Sequence, residues 1–342
     1  MRFVRLRYWP LWLGCALLLA LAVWVRPRRI DGLATLDGEH RWWVNHSAPP
    51  RQFAWLPGEE LSGLLPPRDP PDEISHPCLA DDGRTLYITV RRAGGDADIY
   101  RSQWFDGRWQ PAVAVTELNT PWDEVGVSVN GDGRQLYLAS DRRGGKGGYD
   151  LYVALRRASG WGVPKNLGAT VNTAADELEP AITVDGSQLY FSSDRTDKQS
   201  DLFVAQHAGK GGGWADAQPV QRANTAANER SPCLGEGGTV LYFSSDRPAP
   251  GRDGNFDLYR MLLRDAEAPV ESLGQGVNTP ADETSPAVSA DGFGLTFVRQ
   301  VADRPPGVYQ SRLAEVKTIW VWDNSRWLAL RAVWWKALLA TG

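Results

Sequence analysis

The chain has 342 residues, 42% of them hydrophobic and 23% charged, with 35 Gly and 23 Pro, a composition that excludes both a disordered chain and a helical bundle. Its net charge of −4 is uneven: residues 1–30 hold six Arg and no acid, residues 323–342 a net two positives, and the body between them about −12. So acidic a body excludes nucleic acid as a partner, and three Cys (Cys15, Cys78, Cys233) are too few for a disulfide framework and lack metal-ligand spacing.

Arg2, Arg5 and Arg7 precede an apolar run from Tyr8 to Val25, and Arg26, Arg28 and Arg29 follow it. At about 1.5 Å per residue the run reaches about 27 Å, enough to cross a bilayer as a helix. Residues 1–30 therefore read as a signal anchor, an N-terminal transmembrane helix. Ala20-Leu21-Ala22 keeps a cleaved signal peptide open as the alternative. Either form exports the body. The run continues past Leu13-Gly14-Cys15, so no lipid attachment is expected there.

The body is a repeat array. Five segments align: Asp72-Glu73 through Gly83 and LYITVRR; Asp123-Glu124 through Gly133 and LYLASDRR; Asp176-Glu177 through Gly186 and LYFSSDRT; Asn228-Glu229 through Gly238 and LYFSSDRP; Asp282-Glu283 through Gly292 and LTFVRQ. The glutamates are 51, 53, 52 and 54 positions apart. Each unit adds a second apolar strand (residues 98–103, 150–155, 201–206, 257–262 and 307–312), and a Trp-led segment follows at Trp109, Trp161 and Trp214. Each unit therefore reads as four short strands, a to d, with a Gly-containing turn between a and b. Strand b lacks polar–apolar alternation, as a strand buried on both faces does. Four-stranded units repeated about an axis make an all-β propeller.

Residues 31–71 imitate a unit weakly. Leu36-Asp37-Gly38 resembles the turn, residues 41–46 resemble strand b, and a Pro-rich linker fills 57–71. They read as a degenerate first blade, giving six blades with repeats over 72–322; the alternative is five blades with an N-terminal strand closing the ring. Residues 317–322 (KTIWVW) then supply strand d of the last unit. The Trp-rich tail, 323–342, reads as a short helix with Ser325 at its N-cap, placed at a membrane interface or packed on the propeller.

The units resemble the WD40-like (PD40) repeats of TolB-type propellers of bacterial envelopes, through residues 180–195, their relatives at 127–142, 232–247 and 286–299, and the GGKGGYDLY run at 144–152. The resemblance spans about residues 70–315. It implies a non-catalytic binding scaffold in the periplasm with an envelope protein or cell-wall saccharide as partner; the N-terminal segment would tether it to the inner membrane. No G-x-S-x-G hydrolase motif is present.

Strand alternation places the d–a and b–c loops on one face. Glu73, Glu124, Glu177, Glu229 and Glu283 would then ring the channel mouth, beside Arg142, Arg195 and Arg247 of the Ser-Asp-Arg endings. One reading is a charged funnel for a ligand; the other is that each Glu caps backbone N–H groups or pairs with an Arg, stitching blades together. A glycosidase or lyase using funnel carboxylates is the alternative function, and it would need two unlike carboxyl groups at a set separation. The b–c loops differ most between units and are where specificity is expected. The four His (His40, His46, His76, His207) lack paired spacing, the Gly-rich loops match neither a calcium nor a phosphate motif, and no metal, cofactor or catalytic residue is expected. Small residues recur one place after the strand-a Pro position: Cys78, Ser128, Ala181, Cys233 and Ala287. They fit the crowded axis, where Cys78 and Cys233, three units apart, should be unbonded.

Overall fold

The computed structural model describes residues 32–36, 39–43, 51–68, 71–80, 83–196, 199–209, 212–249, 254–323 and 326–333, with side chains placed over most of 53–315. The expected N-terminal helix lies outside these residues. Among those described, no helix is long and apolar enough to cross a membrane.

Four blades are built from consecutive strands. Blade 1 is Glu73–Leu79, Thr85–Arg91, Ala97–Phe105 and the outer pieces Arg108–Trp109 and Val113–Ala114. Blade 2 is Glu124–Val129, Gln135–Ser140, Asp150–Arg157, Gly160–Trp161 and Lys165–Asn166. Blade 3 is Glu177–Ile182, Gln188–Ser193, Asp201–Gln206 and Gln218–Pro219; blade 4 is Glu229–Gly235, Val240–Ser245, Asp257–Leu262 and Glu271–Ser272. Blade 5 joins Asp282–Val288, Gly294–Gln300 and Gly307–Asp323 to Glu59–Glu60 as its outer strand. The inner strand of each blade packs on the next, and the fifth packs on the first.

The ring thus has five blades, not the six favoured from the sequence. The reason is in the register: Glu59 and Glu60 pair with Gln310 and Tyr309, so the N-terminal strand occupies the place that a C-terminal strand d would take. Residues 317–322 are not strand d either; they continue strand c. Strands Gly32–Leu36, Glu39–Trp43 and Arg51–Trp55 form no separate blade and instead extend this sheet beside Gly307–Asp323. The tail also departs from expectation: Arg326–Val333 is an antiparallel strand, register Val316↔Val333 to Asp323↔Arg326, where a helix was expected. A neighbouring strand satisfies its backbone groups, which local propensity could not reveal.

Strand b is buried along nearly its whole length in blades 1 to 4, for example Val240–Ser245, and over Leu295–Val298 in blade 5. Its side chains fill both inter-blade spaces, which explains the missing alternation. Aromatic pairs across strands b and c stack inside blades 3, 4 and 5: Phe191–Phe203, Phe243–Tyr259 and Phe297–Tyr309, centroids 5.9–6.0 Å apart. The a–b turns use Gly83, Gly133, Gly186, Gly238 and Gly292, all at positive φ, where a side chain would be strained.

Candidate functional site

The repeated acidic pair has two jobs. Its second member serves its own blade. Glu124, Glu177, Glu229 and Glu283 are fully buried. Glu177 accepts from the backbone N–H (2.8 Å) and hydroxyl (2.6 Å) of Thr173, from Ser193 Oγ (3.2 Å) and from Arg195 Nη2 (3.0 Å). Glu124 repeats this with Thr120, Ser140 and Arg142, and Glu229 with Thr225, Ser245 and Arg247. Each Arg also donates back to the d–a loop, at Leu118 O, Val171 O and Ala223 O. Arg195 lies over both Phe191 and Phe203, 5.1 and 4.6 Å from the centroids, and Arg247 lies over Phe243 and Tyr259. Burial raises the carboxyl pKa of Glu124, Glu177 and Glu283, against the Thr hydrogen bonds and the Arg charge.

Blade 5 reaches the same lock by another route. Arg299 stands opposite Glu283, where blades 2, 3 and 4 have Ser and blade 1 has Arg91 opposite Glu73. Its Nε donates to Glu283 Oε1 (2.7 Å) and its Nη2 to Val277 O (2.7 Å), while its guanidinium covers Phe297 and Tyr309.

In blades 2 to 5 the first member of the pair reaches back to the preceding blade. Asp123 Oδ1 accepts from Ala97 N–H, Asp176 Oδ1 from Tyr149 N–H and Asp282 Oδ1 from Phe256 N–H, each at 2.8 Å; Asn228 does the same for Ser200. The Asn of each Asn-Thr pair is bolted to that blade's strand c by both amide atoms, as Asn172 is to Leu151 N–H and C=O (2.9 and 3.0 Å). Asn119, Asn224 and Asn278 repeat this on Ile99, Leu202 and Leu258. The Asp of the Ser-Asp-Arg ending accepts the N–H of the acid pair. The pattern that looked like a funnel is the clamp between blades. Only Glu73 among the five glutamates is exposed; the other four, with Arg142, Arg195 and Arg247, line neither axial cavity.

The repeat is broken on the axis. Each inner strand has a bulge there, and its central residue has positive φ: His76, Gly126, Glu179, Ser231 and Ser285, φ 47–56°. Four of these are not Gly, so the conformation is strained. Glu179 binds Ser192 Oγ (2.7 Å) in its own blade and, in blade 4, Ser231 N–H (2.6 Å) and Oγ (2.7 Å). His76 Nε2 reaches it from blade 1 at 3.2 Å, and Ser75 Oγ lies 2.9 Å from His76 Nδ1. Blade 2, between them, presents Gly126, whose missing Cβ would lie 3.4 Å from Glu179 Cα. Burial alone would push the Glu179 carboxyl up, but the hydrogen bonds from His76 and Ser231 and the charges of His76 and Arg230 outweigh it, taking the pKa down to about 2.

This ring encloses only about 40 Å³ and plugs the channel toward the d–a and b–c loops. A larger axial well of about 310 Å³ lies on its other side. Pro77, Val127, Pro180, Pro232 and Pro286 border both spaces as a collar. The small residues expected at the axis, Cys78, Ser128, Ala181, Cys233 and Ala287, line the well, and neither Cys78 nor Cys233 is in a disulfide. Two also tie adjacent blades: Ser128 Oγ accepts from Ile182 N–H at 3.0 Å and Cys233 Sγ from Val288 N–H at 3.5 Å. Burial raises the Cys233 thiol pKa to about 11, so it is unreactive near neutrality.

Sequence reasoning missed His76, Glu179, Ser231 and Ser285. The signal was available: aligned on the strand-a Pro, the preceding column reads His, Gly, Glu, Ser, Ser, an unlike set inside near-identical units.

No family model matches the sequence, and no curated protein matches it. Among solved structures, TolB from Acinetobacter baumannii is similar over 80% of this chain at 13% identity with a TM-score of 0.46, and this chain spans 59% of that one. The catalytic domain of a Coprinopsis cinerea GH62 α-L-arabinofuranosidase is similar over 76% of this chain and 97% of its own at 14% identity, TM-score 0.49. The Hadza microbial sialidase Hz136 covers 82% of this chain and 74% of its own at 14% identity, TM-score 0.46. No activity follows from similarities at this level.

Proposed function

We propose that the chain is a non-catalytic binding or assembly scaffold, a propeller of the PD40 type in the bacterial periplasm. It is held to the inner membrane by its N-terminal segment, and its partner is an envelope protein or a cell-wall saccharide. One observation carries the non-catalytic part. The acids that recur in blades 2 to 5 are consumed in holding the ring together, and the two carboxylates that face the axis are unlike and apart: Glu179 in the plug, whose two oxygens already accept four hydrogen bonds, and Glu236 at the a–b turn end of the well. Glycoside hydrolysis by the usual route needs two carboxyl groups flanking one bond. The unlike b–c loops, on a frame this rigid, are where a partner is selected.

The glycosidase reading rests on Glu179 and His76, which form an asymmetric titratable pair on the axis. Two experiments separate the readings. Crosslinking of the full chain in intact cells should recover a defined envelope partner through b–c loop residues. Assay of the full chain on a panel of aryl glycosides should give no turnover; turnover that disappears in Glu179→Gln would replace the scaffold reading.

A further inference from the structure

Strand Arg326–Val333 runs back toward the axial well. Val316 pairs with Gln52 on one side and with Val333 on the other, so Arg326–Val333 lies on the same side of strand c as Gly294–Gln300. Val333 stands opposite Val316 and Gly294 opposite Arg312. Four strand positions, about 13 Å, separate the two. The backbone leaving Val333 is therefore directed at the blade 5 turn, residues 289–293, whose Ser289 and Ala290 border the well. Residues 334–342 (WWKALLATG) follow, and nine residues reach up to about 30 Å.

The rim they approach is mixed. Val184 (51%) and Phe293 (41%) are exposed there, whereas no exposed large hydrophobic side chain lies in the described parts of the b–c loops. Phe53 already meets the Phe293 ring edge-on, centroids 6.5 Å apart. Glu236, from the blade 4 turn, lies against the blade 5 turn, since a Cβ on Gly292 would come 3.2 Å from its Cγ. Its side chain is half-buried, and burial raises its pKa against the charge of Arg260, which is itself bonded to Glu271 at 2.8 Å. Among the described residues no donor reaches the Glu236 carboxylate. An exposed aromatic ring beside a carboxylate that lacks a cation suits a segment with large aromatic groups next to an ammonium. Trp334, Trp335 and Lys336 supply that order.

We propose that residues 334–342 fold across this rim as a cover on the axial well, with the Trp pair against Phe293 and Lys336 against Glu236. So short a tether holds the segment at about millimolar effective concentration, and contacts of modest strength keep it closed. A ligand of the well must displace it. The inference is independent of the scaffold reading.

The test is zero-length carbodiimide coupling of the full chain, mixed with an equal amount of an isotope-labelled copy, followed by peptide mass spectrometry. Lys336 should couple to Glu236 within one copy, with or without phosphatidylcholine vesicles. Hydrogen exchange gives a second readout: replacing both Trp334 and Trp335 by Ser should speed exchange over residues 289–293 at least fivefold and leave residues 142–149, on the opposite face, within twofold. Absence of the Lys336–Glu236 product, or equal exchange over 289–293 in both chains, would overturn the proposal. So would a product that joins two copies, since the occupant is then a neighbouring chain, or coupling that vesicles abolish, since the segment then belongs to the bilayer. If the double Trp variant does not fold, coupling in the unmutated chain still decides.

Discussion

Replacing Arg195 by Met isolates what one clamp contributes. The side chain is 15% exposed and its partner Glu177 fully buried. The variant keeps aliphatic bulk against Phe191 and Phe203 but removes the counter-charge. It also strips one of the four hydrogen bonds on the carboxylate and frees Val171 O. Breaking a buried pair from one side costs about 3–5 kcal/mol because the other charge stays buried; three surviving donors on Glu177 put the expected loss near the lower end, about 3 kcal/mol. At about 2–4 °C per kcal/mol for an assembly of this size, the melting temperature falls by about 6–12 °C. Urea unfolding followed by Trp fluorescence measures the loss. Its pH dependence has a definite sign. Burial already holds the Glu177 pKa above its ordinary value, and losing Arg195 raises it further. A raised folded-state pKa contributes stability below the unfolded value and loses it as pH rises through the folded one, so the deficit should shrink from pH 7 to pH 5. The double variant Arg195→Met with Glu177→Leu should recover most of the loss, since both polar partners leave together. A single-variant cost under about 1 kcal/mol, or a double variant as unstable as the sum of its parts, would refute the clamp.

Glu179→Gln tests the axial plug. Its pKa of about 2 against an ordinary value of about 4.3 corresponds to about 3 kcal/mol, present above pH 4.3 and lost as the pH falls toward 2; an acid titration of the variant should show a flattened limb, and an unchanged limb would contradict the assignment. Gly126→Ala places a Cβ at positive φ beside Glu179 Cα and should cost about 1–2 kcal/mol in urea unfolding. Arg304→Ala breaks the exposed pair with Glu60 and should leave the melting temperature unchanged, since exposed pairs contribute little. Hydrogen exchange should be fastest where blade 5 meets blade 1, because Glu73 is exposed there in place of the Thr–Glu–Arg clamp of the other four junctions.

What could be read from the sequence was what repeats. Gly133 and Gly186 marked turns, LYFSS marked a doubly buried strand, and Asn-Thr ahead of an acidic pair marked each junction. The clamp itself was among the readings open for the glutamates, since near-identical residues in every unit suit a joint better than a ligand. Features made by one blade against a distant partner were hidden. Nothing local to Glu59 says that it pairs with Gln310, and nothing in RWLALRAV says that it folds back as a hairpin on the strand ending at Asp323, with partners 3 to 17 positions apart. The axial ring was hidden for a different reason. Its bulge conformation departs from residue preference at His76 and Glu179, and contacts across the axis hold it there.

Blade 5 sews the two ends of the chain together. Leu56 N–H bonds Arg312 O at 2.9 Å, and Ser311 Oγ donates to Leu56 O at 2.6 Å across 255 positions. During synthesis, blades 1 to 4 can assemble in turn from near neighbours, yet the circle stays open until residues past 312 leave the ribosome. Closing so large a loop is the slow, entropy-limited step. Until then, the flank of blade 1 is bare and sticky. A chain stalled in the fifth unit is therefore the species that holding chaperones should meet.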